Sequence, residues 1–117
     1  MQVMLLLYGD EAAWAAKTPE EVAASIEPYF AYTKMLREGG YLVSGDELAP
    51  GATAKTVRLK GGVSVLDGPY ADTKEQLGGY YVLKVADMDE AVRLAKLCPQ
   101  ANDGIVEIRP VILHDGM

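Results

Sequence analysis

Cysteine and histidine are almost absent from this sequence, which contains one residue of each, Cys98 and His114. A single cysteine cannot form a disulfide within the chain, which favours a reducing, cytoplasmic location. Transition-metal sites are built mainly from histidine and cysteine side chains, so the composition predicts no such site. The acidic residues match no calcium-loop spacing, and phosphate-loop, nucleophile and dinucleotide motifs are missing. We therefore expect no metal and no cofactor.

Basic residues and long apolar runs are also scarce. The 11 lysines and arginines are outnumbered by 17 aspartates and glutamates, giving a net charge of −6 without a basic stripe. Nucleic-acid affinity depends on clustered basic side chains, so this balance argues against a nucleic-acid partner. No apolar stretch approaches the roughly 18 residues that cross a membrane. The apolar residues 1–8 lack a cationic leader and precede Gly9-Asp10-Glu11, which predicts a buried strand rather than an export signal.

The chain is predicted to fold as one domain spanning residues 1–117. Half of the residues are hydrophobic, which argues against disorder. A chain of 117 residues can bury roughly two thirds of its unfolded surface. No internal repeat, low-complexity tract or linker divides it.

The first long helix has a strong start signal in Thr18-Pro19-Glu20-Glu21. This segment combines an N-cap threonine, a proline at the first helical position and a glutamate two residues later. Apolar residues then follow helical spacing until Gly39-Gly40. Pro28 interrupts the run, so we expect either one kinked helix or two abutting helices.

A second helix is predicted between Asp87 and Pro99. Asp87 and Glu90 form its capping pair, and apolar residues recur on one face. Cys98 lies on that apolar face, a position more typical of a packing residue than of a reactive thiol.

The middle of the chain is predicted to form a hairpin followed by a loop. The apolar segments Thr56–Leu59 and Val63–Leu66 flank Lys60-Gly61-Gly62, a typical hairpin turn. Asp67-Gly68-Pro69-Tyr70 is a turn sequence. Asp72-Thr73-Lys74-Glu75 has the form of a capping box.

That capping box predicts one helical turn, which Gly78-Gly79 would end. Tyr80 to Val85, rich in aromatic and β-branched residues, is predicted to form the next strand.

The element order predicts an α+β fold, namely a ferredoxin-like β-α-β-β-α-β unit with an inserted hairpin. The first strand is apolar at every position from Val3 to Leu7, so both of its faces should be covered, whereas two helices cover only one face of the sheet. We therefore predict a homodimer through the helix-free sheet face. The last strand adds residues to that face: Ile105, Glu107, Arg109, Val111 and Leu113.

The Asp67 to Tyr70 turn and the Thr73 to Gly79 segment, with the start Met4 to Asp10 and the end Val106 to Val111, resemble the DGPF family of the YCII-related superfamily. Tyr70 stands where the family's name implies phenylalanine. The resemblance implies a ferredoxin-like subunit of the dimeric α+β barrel type, in small bacterial proteins often encoded near or fused to sigma factors. It implies no established activity.

The resemblance also bears on acid–base chemistry. In YCII-type relatives a histidine on the first long helix, paired with an aspartate, has been suggested as an active-site pair. A hand alignment places Tyr29 at that histidine position, which argues against histidine-based chemistry in this chain.

One edge of the predicted sheet gathers polar residues. The first strand and the strand after the first helix end at this edge, and the loop before the third core strand lies beside them. Carboxylates, phenols and a lysine together could bind a small polar ligand or supply a general acid or base, although each residue could equally terminate its own strand. The predicted ligand-binding residues are Tyr8, Asp10, Asp46, Asp67, Tyr70 and Lys74.

Two classes of function are compatible with these patterns. One is a small dimeric ligand-binding protein or enzyme that uses the polar edge of the sheet. The other is a non-catalytic dimerisation or regulatory module associated with a sigma factor. A ligand that binds only the folded state would raise its stability and favour the first class.

Overall fold

The computed structural model describes residues 1–114, which form a mixed α+β fold with two antiparallel sheets and four α-helices. The strands are β1 (Gln2–Asp10), β2 (Leu42–Glu47), β3 (Lys55–Arg58), β4 (Ser64–Asp67), β5 (Glu75–Lys84) and β6 (Ile105–Pro110). The helices are α1 (Glu11–Ala15), α2 (Pro19–Glu38), α3 (Met88–Lys96) and α4 (Gln100–Asp103), and a 3-10 turn spans Gly51–Thr53.

The main sheet has four strands in the order β2-β5-β1-β6, and β3 and β4 form a separate two-stranded sheet. Each neighbouring pair in the main sheet is antiparallel. A register shift in β1 lies between Leu7 and Tyr8, opposite Gly79 and Leu77 of β5. The hairpin formed by β3 and β4 lies in the connection between β2 and β5 of the main sheet.

The core lies between one face of the main sheet and the helices. Val3, Leu5 and Leu7 of β1 are at most 7% exposed, and they belong to one core cluster with side chains of α2 and α3. Successive strand residues point to opposite faces, so Met4 and Leu6, which are half-buried, lie on the helix-free face. Helices therefore cover one face of the apolar strand β1 and leave its other face uncovered.

Local capping signals correctly predicted the start of α2. The Thr18 side chain accepts from the Glu21 N–H at 3.2 Å, and the Glu21 carboxylate accepts from the Thr18 N–H at 3.0 Å. The helix runs unbroken from Pro19 to Glu38 with Pro28 inside it, so the two-helix alternative is wrong.

The start of α3 was also predicted, with one difference in its capping pair. Asp87 accepts from the Glu90 N–H at 2.8 Å, while the Glu90 side chain accepts from the Ala86 N–H at 2.9 Å rather than from Asp87. Cys98, just after α3, is 1% exposed within the core, and burial raises the pKa of its thiol. Both facts match a packing role.

The predicted helical turn after Asp72 is wrong. The chain stays irregular through Lys74 and enters β5 at Glu75, so Gly78 and Gly79 lie inside a strand. Long-range pairing explains the difference, because Glu75 pairs with Asp10 across β1. The capping motif therefore competes with sheet hydrogen bonds that the local sequence does not reveal.

The hairpin prediction is confirmed, with strands shifted by one residue toward Lys55 and Asp67. Val57 and Val65 pair across it and share one face. Together with Leu59 and Val63 beside the turn, these residues form what we term the outer face of the hairpin. These four apolar side chains are 58 to 78% exposed.

Candidate functional site

Asp10 joins α1 to the loop before β5. Its carboxylate caps α1 by accepting from the N–H groups of Ala12 at 3.0 Å and Ala13 at 3.2 Å. The second carboxylate oxygen lies 3.8 Å from the ammonium of Lys74. Two of the predicted site residues are therefore adjacent, as expected from their shared edge of the sheet.

Glu11 and Gln76 fix the backbone around this edge. The Glu11 carboxylate accepts from the Gly51 N–H at 2.8 and 3.1 Å, and the Gln76 amide donates to the carbonyls of Ala71 at 2.9 Å and Thr73 at 2.7 Å. A β-carbon at position 51 would lie 3.3 Å from the Gln76 amide oxygen and from the Pro69 ring, so a larger residue there would displace these side chains slightly. The sequence analysis missed both polar residues because hydrogen bonds to backbone leave no pattern in the sequence.

Asp46 and Tyr8 have partners of their own elsewhere on the main sheet. The Asp46 carboxylate accepts from the Tyr80 hydroxyl at 2.7 Å, and this bond raises the pKa of Tyr80. The Tyr8 hydroxyl donates to Glu107 at 3.4 Å, and Glu107 lies 3.6 Å from Arg109. Each group satisfies part of its hydrogen-bonding capacity within its own strand pair.

Asp67 and Tyr70 belong to the hairpin. The turn sequence predicts that the Asp67 carboxylate accepts from backbone N–H groups of the following loop. The carboxylate instead forms an ion pair with Lys55 across β3 and β4. The Arg58 guanidinium lies over the Tyr70 ring, 6.0 Å from its centroid. The loop is held to β3 by Thr56, whose hydroxyl donates to the Gly68 carbonyl at 2.9 Å.

A cavity of about 350 Å³ opens between the hairpin and this loop, and we call it the hairpin pocket. It combines a guanidinium, two hydroxyl side chains, an aromatic ring and the Asp67 carboxylate, which is paired with Lys55, with apolar walls. Apolar walls with a few polar groups are typical of small-molecule sites. Within residues 1–114 no carboxylate forms a salt bridge with Arg58. The pocket is lined by Thr56, Arg58, Ser64, Leu66, Asp67, Pro69 and Tyr70.

The six predicted site residues are thus distributed over several local groups. Asp10 lies with Lys74, Asp67 and Tyr70 line the hairpin pocket, and Tyr8 and Asp46 bond to side chains of the main sheet. The sequence analysis missed Arg58, because a lone arginine in a predicted strand carries no motif.

A second polar group lies between the helices and the main sheet. The Tyr29 hydroxyl donates to the Gln100 amide oxygen at 2.5 Å, and the Gln100 amide nitrogen donates to the Tyr8 carbonyl at 2.7 Å. Burial raises the pKa of Tyr29 above its ordinary value, and neighbouring groups, Cys98 first, raise it further. The raised pKa favours the protonated hydroxyl, the form that donates to Gln100.

Across residues 1–114, no group of three or more histidine, cysteine, aspartate or glutamate side chains could hold a metal ion. None of the helices in this part of the chain is both long and apolar enough to span a bilayer.

The fold and the site define a small α+β protein with a polar sheet edge and a hairpin pocket. Similarity to known proteins identifies the family. Residues 1–114 match the YCII-related domain, and the chain belongs to that family. It is also 36% identical, over 97% of its length and 94% of the relative's, to an uncharacterised protein of Rhizobium meliloti (strain 1021).

Proposed function

We propose that this YCII-related chain binds a small organic anion in the hairpin pocket. The observation that carries the proposal is Arg58, which faces the pocket beside an aromatic ring and has no carboxylate partner within residues 1–114. An arginine fork matches a carboxylate or phosphate through paired hydrogen bonds. Ser64 adds a hydroxyl, and Leu66 and Pro69 supply apolar walls. The ligand class is therefore an anion that carries an apolar or aromatic group.

The proposal includes a homodimer formed through the helix-free face of the main sheet. Met4 and Leu6 support this arrangement, because they are apolar residues on a face without helices. The strand order β2-β5-β1-β6 supports a ferredoxin-like subunit, and stacking two such sheets would form a dimeric α+β barrel of the DGPF branch. A stable interface of this kind should bury on the order of 2,000 Å².

A cytoplasmic location belongs to the same proposal. It is supported by Cys98, a buried thiol that remains free. The protein would then meet its ligand among small metabolites inside the cell.

Thermal unfolding with a small probe set tests ligand binding. We expect benzoate or phenyl phosphate to raise the Tm, while benzyl alcohol, the neutral analogue of benzoate, should not. Arg58→Gln should weaken the anion's affinity about 10-fold or more, because a charge-assisted bond contributes about 1.5 to 3 kcal/mol. Arg58→Lys should give a smaller loss, since it keeps the charge but not the fork. Arg37→Gln, on α2, is the matched control for lost charge.

Two results would contradict the ligand proposal. One is the absence of stabilisation by either anion, and the other is equal stabilisation of the wild type and Arg58→Gln. Specific co-purification with a sigma factor, combined with no anion response, would instead favour the regulatory-module alternative.

A further inference from the structure

We propose that the outer face of the hairpin docks on the end of the main sheet in a second copy of this chain. This inference rests on the proposed homodimer and identifies an additional contact within it. The hairpin pocket and the outer face use opposite sides of the two-stranded sheet, so ligand binding and docking do not compete.

The hairpin needs a partner for its apolar side chains. Val57, Leu59, Val63 and Val65 are 58 to 78% exposed and form one continuous aliphatic face near the turn. An isolated two-stranded hairpin is marginally stable in water. Contiguous exposed apolar patches are a feature of protein interaction sites.

Charge identifies the occupant as a second copy. The hairpin, residues 55–67, contains Lys55, Arg58 and Lys60 against one acidic residue, Asp67, so it carries +2. The whole chain carries −6, which leaves −8 for all other residues. A cationic arm on an acidic body is complementary to another copy of that body, and this complementarity favours association.

The end of the main sheet offers a surface that matches both properties. Leu48 and Leu77 are 40% and 37% exposed there, and the Leu48 N–H bonds to the Gly78 carbonyl at 2.9 Å, which places the two strands' ends together. Asp46 and Glu47 precede Leu48 directly and are exposed. The end of the main sheet thus presents aliphatic side chains beside carboxylates. The hairpin presents aliphatic side chains beside basic residues, so the two surfaces are complementary.

Sedimentation velocity over a dilution series tests this contact with the full chain. Leu59→Ser combined with Val63→Ser should raise the dimer dissociation constant roughly 100-fold, because each copy loses two buried aliphatic contacts. Phe30→Ser removes another large apolar side chain, which is 70% exposed on α2, and should leave the constant unchanged. The wild-type affinity should also fall as salt is raised.

A charge exchange locates the receiving surface. Lys60→Glu and Glu47→Lys should each weaken the dimer about 10-fold, and the two changes together should restore most of the affinity. A hairpin variant that dimerises like the wild type, or a double variant without rescue, would overturn the inference.

Leu6→Arg on the helix-free face distinguishes the proposed homodimer from the additional hairpin contact. If it abolishes the dimer while the hairpin variants do not, the proposed dimer stands and the hairpin contact falls, whereas a monomeric wild type overturns both.

Discussion

Tyr32 provides a quantitative test of how the helices are held to the sheet. Its side chain is 4% exposed, its hydroxyl donates to the Leu94 carbonyl at 2.7 Å, and its ring meets the Tyr81 ring edge-on at 5.5 Å. Burial, followed by the nearby Cys98 and Tyr81, raises the pKa of Tyr32 above 10.0. The folded state therefore binds the phenolic proton more tightly than the unfolded state.

The sign of the pH dependence follows from this difference. Below the unfolded-state pKa of about 10, both states keep the proton and the stability is unaffected. As the pH rises above about 10, the unfolded chain releases the proton while the folded chain retains it, so the free energy of unfolding falls. The loss from Tyr32 alone should reach about 1.4 kcal/mol near pH 11.

The effect of Tyr32→Phe on the free energy of unfolding should consequently change sign with pH. Near pH 8 the variant should be less stable by about 1 kcal/mol, because it loses one hydrogen bond while the Leu94 carbonyl still accepts from the Leu97 N–H at 3.1 Å. Near pH 11 the variant should be the more stable protein by about 0.4 kcal/mol, with the two curves crossing at about pH 10.6. Urea unfolding at a series of pH values measures both quantities.

Tyr70→Phe is the matched control for this experiment, because it removes one phenol from a side chain that is 78% exposed. Its stability should follow that of the wild type over the whole pH range. Parallel curves for Tyr32→Phe and the wild type up to pH 11 would refute the reasoning, since they would show that burial does not hold the Tyr32 proton.

Two further changes probe the backbone. Gly104→Ala should lower the free energy of unfolding by about 1 to 3 kcal/mol in urea, because a β-carbon there would clash with the Tyr8 carbonyl oxygen. Gly78→Ala should cost much less, since its β-carbon would lie 3.9 Å from its nearest neighbour, and equal losses would contradict the clash. Thr18→Ala should cost about 1 kcal/mol by removing the cap of α2, whereas Thr18→Ser should retain most of the stability. If the alanine and serine variants unfold at the same urea concentration, the cap contributes nothing.

Elements with local signals were the ones that sequence reasoning predicted well. The capping box at Thr18 and the hairpin turn at Gly61-Gly62 depend on neighbouring residues alone, and both occur as expected. The continuous apolar sequence of β1 predicted that both of its faces are covered, and within one chain its residues alternate between buried and half-buried. Short-range physics was therefore sufficient for these elements.

Elements that depend on distant partners were predicted less well. The segment after Asp72 carries a helix-start pattern, but pairing with β1 and β2 turns its second half into β5. Pro28 lies within an intact helix although it cannot donate a backbone hydrogen bond. Within α2, the capping box and the packing of Tyr32 and Leu36 against the core support the continuous helix.

The candidate site shows the same division. Strand order brought Asp10 and Lys74 to one edge, as the topology implied. Arg58 and Tyr70 meet only because the loop folds back over the hairpin, through the bond between Thr56 and the Gly68 carbonyl. No periodicity in the sequence predicts that the loop folds back over the hairpin, so the hairpin pocket could not be predicted from the sequence.

The distribution of the core along the chain has a consequence for how such proteins can diverge. Among residues 1–114, no buried apolar core side chain lies between Leu36 and Leu83. Within that segment, residues 48–74 connect β2 to β5 and include the hairpin, and this connection can change in length at a small cost in loop-closure entropy, about 0.6 kcal/mol for each doubling. Relatives can therefore acquire a different hairpin, and with it a differently lined hairpin pocket, while the main sheet and its helices stay unchanged.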